Sequence, residues 1–317
     1  MLQTIKTGKS SLGQGIRGAQ SALLLAALRR EISGQMLIVT STPSMAEQLK
    51  ADLSLLIRAE ECVLFPAYDL LAHEEAYEKE VAGQRLFVLG KLLNAEKLIV
   101  ITSWPALVRK VLPPQELAAF ILTVQVGAEL GRDRFLRQLV TLGYNRVEKV
   151  DAPGELSVRG DIVDLFPLER PNPLRIEFFG DEVDSLRTFN AETQKSLEKL
   201  AATVVLPARE GLWTAEQFTA ARPRLKRLVD GQCQRLLKVG NEEKPQEAAD
   251  FLQKRYAELA EKVENGLVFP GMDRLLPLVR SDLTPFWTYL PDAQLVLHEP
   301  VRGSEYLRSL VEENARI

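Results

Sequence analysis

Short apolar runs alternate with helical patterns through the first part of this sequence. Met36–Thr40, Cys62–Phe65 and residues 98–102 are apolar runs of strand length, which is typical of strands buried on both faces of a parallel sheet. A compact apolar block in residues 18–33 predicts a helix before the first strand. Between the strands, apolar residues recur at spacings of three and four in residues 43–57, and a leucine-rich helical segment precedes residue 98. Strands that alternate with helices predict an α/β domain built on a parallel sheet.

The pattern changes after about residue 122, where strands follow one another with little between them. One more helix is predicted over residues 132–142, and Gly143 ends it. Pro-Gly, Asn-Pro and Gly-Asp turn signals separate the strands that follow. The predicted strands are residues 144–150, 155–159, 162–166, 174–179, 183–189 and 203–206. Consecutive strands joined by short turns predict an antiparallel sheet, so this segment is interpreted as an inserted α+β module.

Helical patterns return at residues 215–238 and 246–265, and a last strand is predicted at residues 294–298. We therefore expect an α/β fold in three parts. Residues 1–122 form the parallel-sheet domain, residues 123–208 form the inserted module, and residues 209–317 form a helical region whose final strand completes the first domain.

Charge and cysteine content argue against several classes of protein. The 40 Lys and Arg residues against 43 Asp and Glu give a net charge of −3, so the chain lacks the basic excess of a dedicated DNA-binding module. Cys62 and Cys233 lie far apart in a chain with two histidines, which supports neither a disulfide nor a zinc site. No apolar stretch has the length of a membrane span, and the N-terminus lacks a signal-peptide pattern. We expect a cytoplasmic protein that does not enter a membrane.

Residues 15–22 have the outline of a Walker-A loop that leads into the first helix. Gly15 and Gly18 occupy loop positions, but Gln20 stands where a glycine lets the backbone approach a phosphate. Ser21 replaces the lysine that contacts the β- and γ-phosphates, and Ala22 replaces the hydroxyl that holds Mg²⁺. The loop is therefore predicted to bind neither ATP nor a metal ion. Taken alone, two glycines before a helix favour an ordinary loop over a degenerate phosphate site.

The remaining titratable residues form no recognisable catalytic set. Asp69 and Glu74 lie in a polar stretch rather than at the end of a buried strand, so they do not form a Walker-B site. His73 is interpreted as a surface residue and His298 as an ordinary strand-end residue. No catalytic residue is assigned.

The strand Leu174–Phe179 has one apolar and one mixed face. Period two places Arg175, Glu177 and Phe179 together, opposite the apolar set, and Arg159 of the strand at residues 155–159 could join the same side. An aromatic ring beside arginines is typical of a protein-binding anchor. Periodicity equally allows Phe179 to cap a second small core and Arg175 and Glu177 to form a surface ion pair.

Residues 153–167 and 175–187 carry the long motifs PGELSVRGDIVDLFP and RIEFFGDEVDSLR. Together they resemble the domain shared by the UvrB family and the bacterial transcription-repair coupling factor (Mfd) family, and weaker likeness covers most of residues 10–210. The resemblance implies a UvrB-like α/β fold with a degenerate, RecA-like P-loop domain. Ser21, Ala22 and Ser157 depart from the UvrB pattern, and the short stretch 70–83 leaves no room for its damage-probing hairpin. The likeness is therefore to the N-terminal UvrB-homology region of the Mfd family.

What the resemblance implies is an adaptor rather than an enzyme. In that family the inserted module binds UvrA, and the matching positions here are Arg159, Arg175 and Phe179, with Glu177 beside them. The implied role is to recruit UvrA to RNA polymerase stalled at DNA damage, in transcription-coupled nucleotide excision repair. The full-length family protein is an ATP-dependent DNA translocase that also binds RNA polymerase and DNA, and its own C-terminal domain masks the docking face. The alternative is a truncated UvrB-type ATP-dependent damage-recognition or helicase fragment, which nucleotide binding would reveal.

Overall fold

The computed structural model describes residues 11–16, 18–68, 75–94, 96–239, 245–265 and 272–314. Arg17, Asp69, His73 and Glu74 lie outside these ranges. The chain divides into two compact units, one formed by residues 1–121 and 284–317 and the other by residues 122–283.

A four-stranded parallel sheet forms the centre of the first unit, as the alternating pattern predicts. Its strands are β1 (Met36–Thr40), β2 (Cys62–Phe65), β3 (Ile99–Ser103) and β12 (Gln294–Leu297), in the order β12-β1-β3-β2. The helices of this unit are α1 (Ala19–Glu31), α2 (Pro43–Ser54), α3 (Glu75–Leu93), α4 (Trp104–Val108), α5 (Pro114–Ala119) and α10 (Pro300–Asn314). Every residue of β1 and β3 is buried, which explains why Met36–Val39 and Ile99–Ile101 are apolar throughout. The strands end in buried polar residues whose hydroxyl groups are satisfied: Thr40 Oγ1 donates to the Thr102 carbonyl at 3.1 Å, and Thr102 Oγ1 donates to the Phe65 carbonyl at 2.8 Å.

Helices α1 and α2 cover one face of this sheet. Leu25 and Leu49 pack with Ile38 and Ile101 in a single apolar cluster. Helix α2 begins at Pro43 because Thr42 caps it: the Thr42 Oγ1 accepts a hydrogen bond from the Met45 N–H at 3.2 Å.

The end of the chain completes this first unit. Strand β12 pairs with β1 in parallel. Phe286 stacks on Phe65 with 3.8 Å between ring centroids, and the Tyr289 hydroxyl donates to the Leu112 carbonyl at 2.8 Å.

A six-stranded mixed sheet dominates the second unit. It has the order β10-β9-β8-β7-β6-β5, with antiparallel pairing everywhere except between β5 and β6. These strands are β5 (Asn145–Arg146), β6 (Glu155–Arg159), β7 (Ile162–Leu165), β8 (Leu174–Phe179), β9 (Glu182–Phe189) and β10 (Ser196–Lys199). Helix α6 (Arg132–Thr141) precedes them, and β4 (Leu122–Gln125) pairs with β11 (Ala202–Val205) in a separate ribbon. The α/β class with an added antiparallel α+β module is thus confirmed.

The strand expected over residues 144–150 is shorter in the structure, where only Asn145 and Arg146 pair as a strand. Side chains take the place of the missing ladder. The Ser157 hydroxyl donates to the Glu148 carbonyl at 2.7 Å, and the Glu155 carboxylate accepts from the N–H groups of Asp151 and Ala152, each at 2.9 Å. Such local side-chain bonds offer the backbone an alternative to sheet pairing.

Of the predicted third part, residues 209–283 group with the second unit and residues 284–317 with the first. The described residues of 209–283 include the α-helices α7 (Ala215–Val239), α8 (Pro245–Glu264) and α9 (Leu276–Val279). The Asp273 carboxylate accepts from the backbone N–H groups of Glu210 and Gly211, at 3.1 and 2.8 Å. This contact holds the helical stretch to the end of the strand module.

Both cysteines are free and buried, and they lie in different units. Burial raises the pKa of the Cys62 thiol to about 11. Every helix of the described ranges is too short or too polar to span a lipid bilayer.

Candidate functional site

Strand β8 places its side chains on two faces, as period two predicts. Leu174, Ile176 and Phe178 are buried on one side. Arg175 and Glu177 are partly exposed on the other side, and Phe179 is exposed there. We refer to Arg159, Arg175, Glu177 and Phe179 as the outer face.

A buried carboxylate on β7 joins two of these arginines. Asp164 is 2% exposed, and it lies opposite Arg175 of β8 in the strand register. Its Oδ1 accepts from Arg175 Nε at 2.6 Å, and its Oδ2 accepts from Arg175 Nη2 at 2.8 Å. The same Oδ2 accepts from Arg159 Nη2 at 2.6 Å. Paired, charge-assisted bonds of this kind fix both guanidinium groups in position.

Arg175 is also held by its other neighbours. Its guanidinium lies 4.4 Å from the centre of the Phe189 ring, and its Nη2 donates to Gln194 Oε1 at 3.1 Å. Gln194 itself has a positive φ of 58°, which is uncommon for a residue with a side chain. The side chain of Arg175 is only 13% exposed, whereas that of Arg159 is 52% exposed. Arg159 is therefore the more accessible of the two cations.

Glu177 is bound within its own sheet. It accepts hydrogen bonds from Arg187 of β9 and from the Ser185 hydroxyl, the latter at 2.7 Å. The Arg187 hydrogen bond is the largest cause that lowers the pKa of Glu177 to about 2, and the Ser185 bond is the next. Glu177 is thus an ionised carboxylate near neutral pH.

Phe179 is 83% exposed at the end of β8. This exposure excludes the alternative that its ring caps a second core. The turn that follows is fixed from the side of α6: the Gly131 N–H donates to the Asp181 carbonyl at 3.0 Å. Arg132 Nη1 donates to the Gly160 carbonyl at 2.6 Å, so the same helix start also binds the neighbouring β6–β7 turn. The ring of Phe179 therefore projects from a well-anchored hairpin.

The degenerate phosphate loop is located at the start of α1. Gly15 and Gly18 have positive φ values of 76° and 51°. Ser21 is buried, and its Oγ is hydrogen-bonded to His298 Nε2 at 3.1 Å. Ala22 belongs to the apolar cluster beneath the sheet. Gln20 is exposed.

His298 contacts this loop rather than being an isolated strand-end residue, because β12 ends beside α1. In the described part of the chain, no group of three His, Cys, Asp or Glu side chains is arranged to hold a metal ion.

Asp164 is the residue of this candidate site that the sequence analysis did not identify. A signal for it was present, because Asp164 interrupts an otherwise apolar strand between Val163 and Leu165. A buried carboxylate in a strand needs charged partners, and Arg159 and Arg175 are the arginines nearest to it on the flanking strands.

Residues 122–210 match the UvrB interaction domain family. This segment covers the antiparallel sheet and all four residues of the outer face. The match lies within the second unit of the chain.

Likeness to known proteins extends well beyond that domain. The transcription-repair-coupling factor of Bacillus subtilis (strain 168) is 31% identical over 310 residues, which is 97% of this chain and 26% of the relative. The transcription-repair-coupling factor of Myxococcus xanthus is 30% identical over 333 residues, covering 100% of this chain and 26% of the relative. That of Haemophilus influenzae is 28% identical over 285 residues, covering 90% and 23%.

The chain is therefore a homologue of the transcription-repair-coupling factors along nearly its whole length. It spans about a quarter of the length of these relatives.

Proposed function

We propose that this chain is a non-catalytic docking region that serves transcription-coupled repair by binding UvrA through the outer face. One observation carries the proposal: in a UvrB interaction domain, Phe179 is 83% exposed on an anchored turn beside a partly exposed arginine. An exposed aromatic ring in a rigid setting loses little conformational entropy when it enters a pocket of a partner.

The four outer-face residues take different roles in this proposal. Phe179 fills an apolar pocket, and Arg159 offers its remaining N–H donors to an acceptor of UvrA. Arg175 is mostly buried against Asp164 and Phe189, so it positions Arg159 and the strand rather than making the main contact. Glu177 positions Arg187 in the same way.

The proposed region has no nucleotide chemistry of its own. Ser21 is bonded to His298, and Ala22 is packed into the core, so neither a cation nor a hydroxyl is available for a phosphate or Mg²⁺ at those positions. Contacts with RNA polymerase and with DNA, and masking of the outer face by a C-terminal domain, are proposed for the longer protein.

The experiment is a calorimetric titration of UvrA into the chain and into Phe179→Ala. We expect the variant to bind more weakly by about 1–3 kcal/mol and to unfold at the same temperature. Phe251→Ala is the matched control, because Phe251 is also a strongly exposed phenylalanine of the second unit, at 69%.

Equal affinity of Phe179→Ala and wild type for UvrA would contradict the proposal. Equal losses of UvrA affinity in the Phe179 and Phe251 variants would also contradict it, since binding would then not depend specifically on the outer face. Arg159→Ala separates the arginine contribution, with a similar expected loss of about 1–3 kcal/mol.

A further inference from the structure

Helix α7 has a strongly uneven charge distribution that the overall net charge conceals. It carries six Lys and Arg residues against two Asp and Glu residues. Helix α8, which packs against it, has five acidic and three basic residues. The hairpin of these two helices is therefore close to neutral in total, while one of its helices is basic.

Four of the basic residues of α7 lie on one narrow face. At about 100° per residue, Arg224, Arg227, Arg235 and Lys238 fall within an arc of roughly 80°. The buried residues Phe218, Ala221 and Leu225 of α7 lie on a different side of the helix. We call these four residues the basic stripe. It runs for about 21 Å along the helix axis.

The basic stripe is exposed and unpaired within the described residues. All four side chains are exposed, and none of them forms an ion pair with a carboxylate in the part of the chain that the structure describes. The other two cations of α7 differ in this respect. Arg222 pairs with Glu264, and Lys226 pairs with Asp230. Carboxylates of the hairpin thus neutralise the two cations on the opposite side of α7 and leave the stripe without an ion-pair partner among the described residues.

Gly231 lies in the middle of the basic stripe and has no internal reason to be glycine. A Cβ atom at this position would meet no atom within 4 Å, and the position is exposed. Glycine in an exposed helix interior destabilises the helix relative to alanine. A missing side chain between four cations lets a ligand backbone come close to the helix.

We infer that the basic stripe binds the phosphate backbone of duplex DNA without reading its sequence. Guanidinium groups match phosphate oxygens, and a stripe of about 21 Å follows roughly six base pairs of a duplex. The stripe consists of cations alone and lacks the aromatic residues and methionine that, together with arginine, are enriched in protein interfaces. Phosphate therefore fits this surface better than an acidic protein does. The inference does not depend on the proposed binding of UvrA.

The test is fluorescence anisotropy of a labelled duplex of mixed sequence, titrated with the full chain at increasing salt. Four phosphate contacts predict that affinity falls about a hundredfold between 50 and 200 mM salt. The variant Arg227→Gln/Arg235→Gln should reduce affinity at 50 mM salt by about tenfold or more and should roughly halve the salt dependence.

The matched control is Arg222→Gln/Lys226→Gln, which removes the same charge from the same helix outside the stripe. It should retain wild-type DNA affinity within about twofold, because both cations are already paired. Equal losses in the two double variants, or absence of DNA binding by the wild-type chain at 50 mM salt, would overturn the inference. A polyglutamate peptide that binds as tightly as DNA of equal charge would overturn it in favour of an acidic protein.

A second variant tests the close approach at Gly231. Gly231→Gln adds a good helix former, so the protein should melt at a higher temperature while it binds DNA several-fold more weakly. A variant that is more stable and binds DNA like wild type would contradict the close approach of a phosphate backbone at the centre of the stripe.

Discussion

Arg175 of β8 and Asp164 of β7 form a two-point ion pair, with Nε–Oδ1 and Nη2–Oδ2 distances of 2.6 and 2.8 Å. The side chains of these residues are 13% and 2% exposed. The pair links two strands of the sheet and lies on the face of β8 that also carries Phe179, four residues further along the strand. Its integrity therefore affects both the stability of the second unit and the display of the outer face.

Asp164→Ala should therefore destabilise the protein strongly. It leaves the largely buried Arg175 without its counter-charge and also releases Arg159, and breaking a buried pair typically costs about 3–5 kcal/mol. Urea unfolding measures the loss. Asp161→Ala removes a carboxylate whose side chain is 73% exposed, and it should change stability by less than about 0.5 kcal/mol. A small effect at Asp164 would show that the pair does not hold the strands together.

The buried carboxyl group of Glu169 should make the stability of the protein decrease as the pH rises towards neutrality. Burial raises the pKa of Glu169 from 4.5 to about 7, and its side chain is 8% exposed. The folded state therefore binds this proton more tightly than the unfolded state, so the contribution of Glu169 to stability is fully present below about pH 4.5 and is lost as pH rises through about 7. The whole contribution is roughly 3 kcal/mol. Glu169→Gln should remove this fall, as measured by chemical unfolding between about pH 5 and 8.

Glu177 serves as a control, because its effect on stability changes with pH in the opposite direction. The pKa of Glu177 is lowered to about 2, first by the Arg187 hydrogen bond, so its contribution is present above about pH 4.5 and disappears as the pH falls towards 2. Glu177→Gln should leave the slope between pH 5 and 8 unchanged. If both glutamine variants alter the slope in that window equally, the assignment to Glu169 is wrong.

Gly303 of α10 is required by close packing against α4. A Cβ atom at position 303 would overlap the indole ring of Trp104, so Gly303→Ala should destabilise the protein by about 1–3 kcal/mol. Thermal unfolding measures this. Gly231→Ala provides the contrast, because it meets no neighbour and should stabilise helix α7 by about 0.5–1 kcal/mol. The loss at Gly303 should shrink when Trp104 is replaced by leucine in the same chain.

The chain should not bind Mg-ATP. Ser21 and Ala22 supply neither the cation nor the metal ligand of a phosphate loop, so calorimetry at about 1 mM nucleotide, the upper end of ordinary affinities, should show no saturable heat. Saturable binding that depends on Mg²⁺ would instead favour the UvrB-type ATPase alternative.

Local patterns were sufficient for the architecture and for the face of each strand. Parallel strands that are buried on both faces are mostly apolar, whereas β8 alternates between apolar and polar residues, so β1, β3 and β8 could be predicted without coordinates. Strand β5 was predicted too long. The bonds that end it join Ser157 to the Glu148 carbonyl across nine positions of the chain, and side-chain periodicity carries no information about such bonds.

The sequence alone determines the order of strands and helices and the spacing of their apolar residues. It also places Phe179 and Arg175 on a common face. These features depend on neighbours only a few residues away in the chain. The contacts that give those residues their roles depend on distant parts of the chain. Asp164 meets two arginines only because three strands pair in one register. Asp273 binds the N–H groups of Glu210 and Gly211 across more than sixty positions. The packing of α8 against α7 leaves the face with Arg227 exposed. Register and packing minimise the free energy of the whole fold, so three-dimensional structure alone decides them.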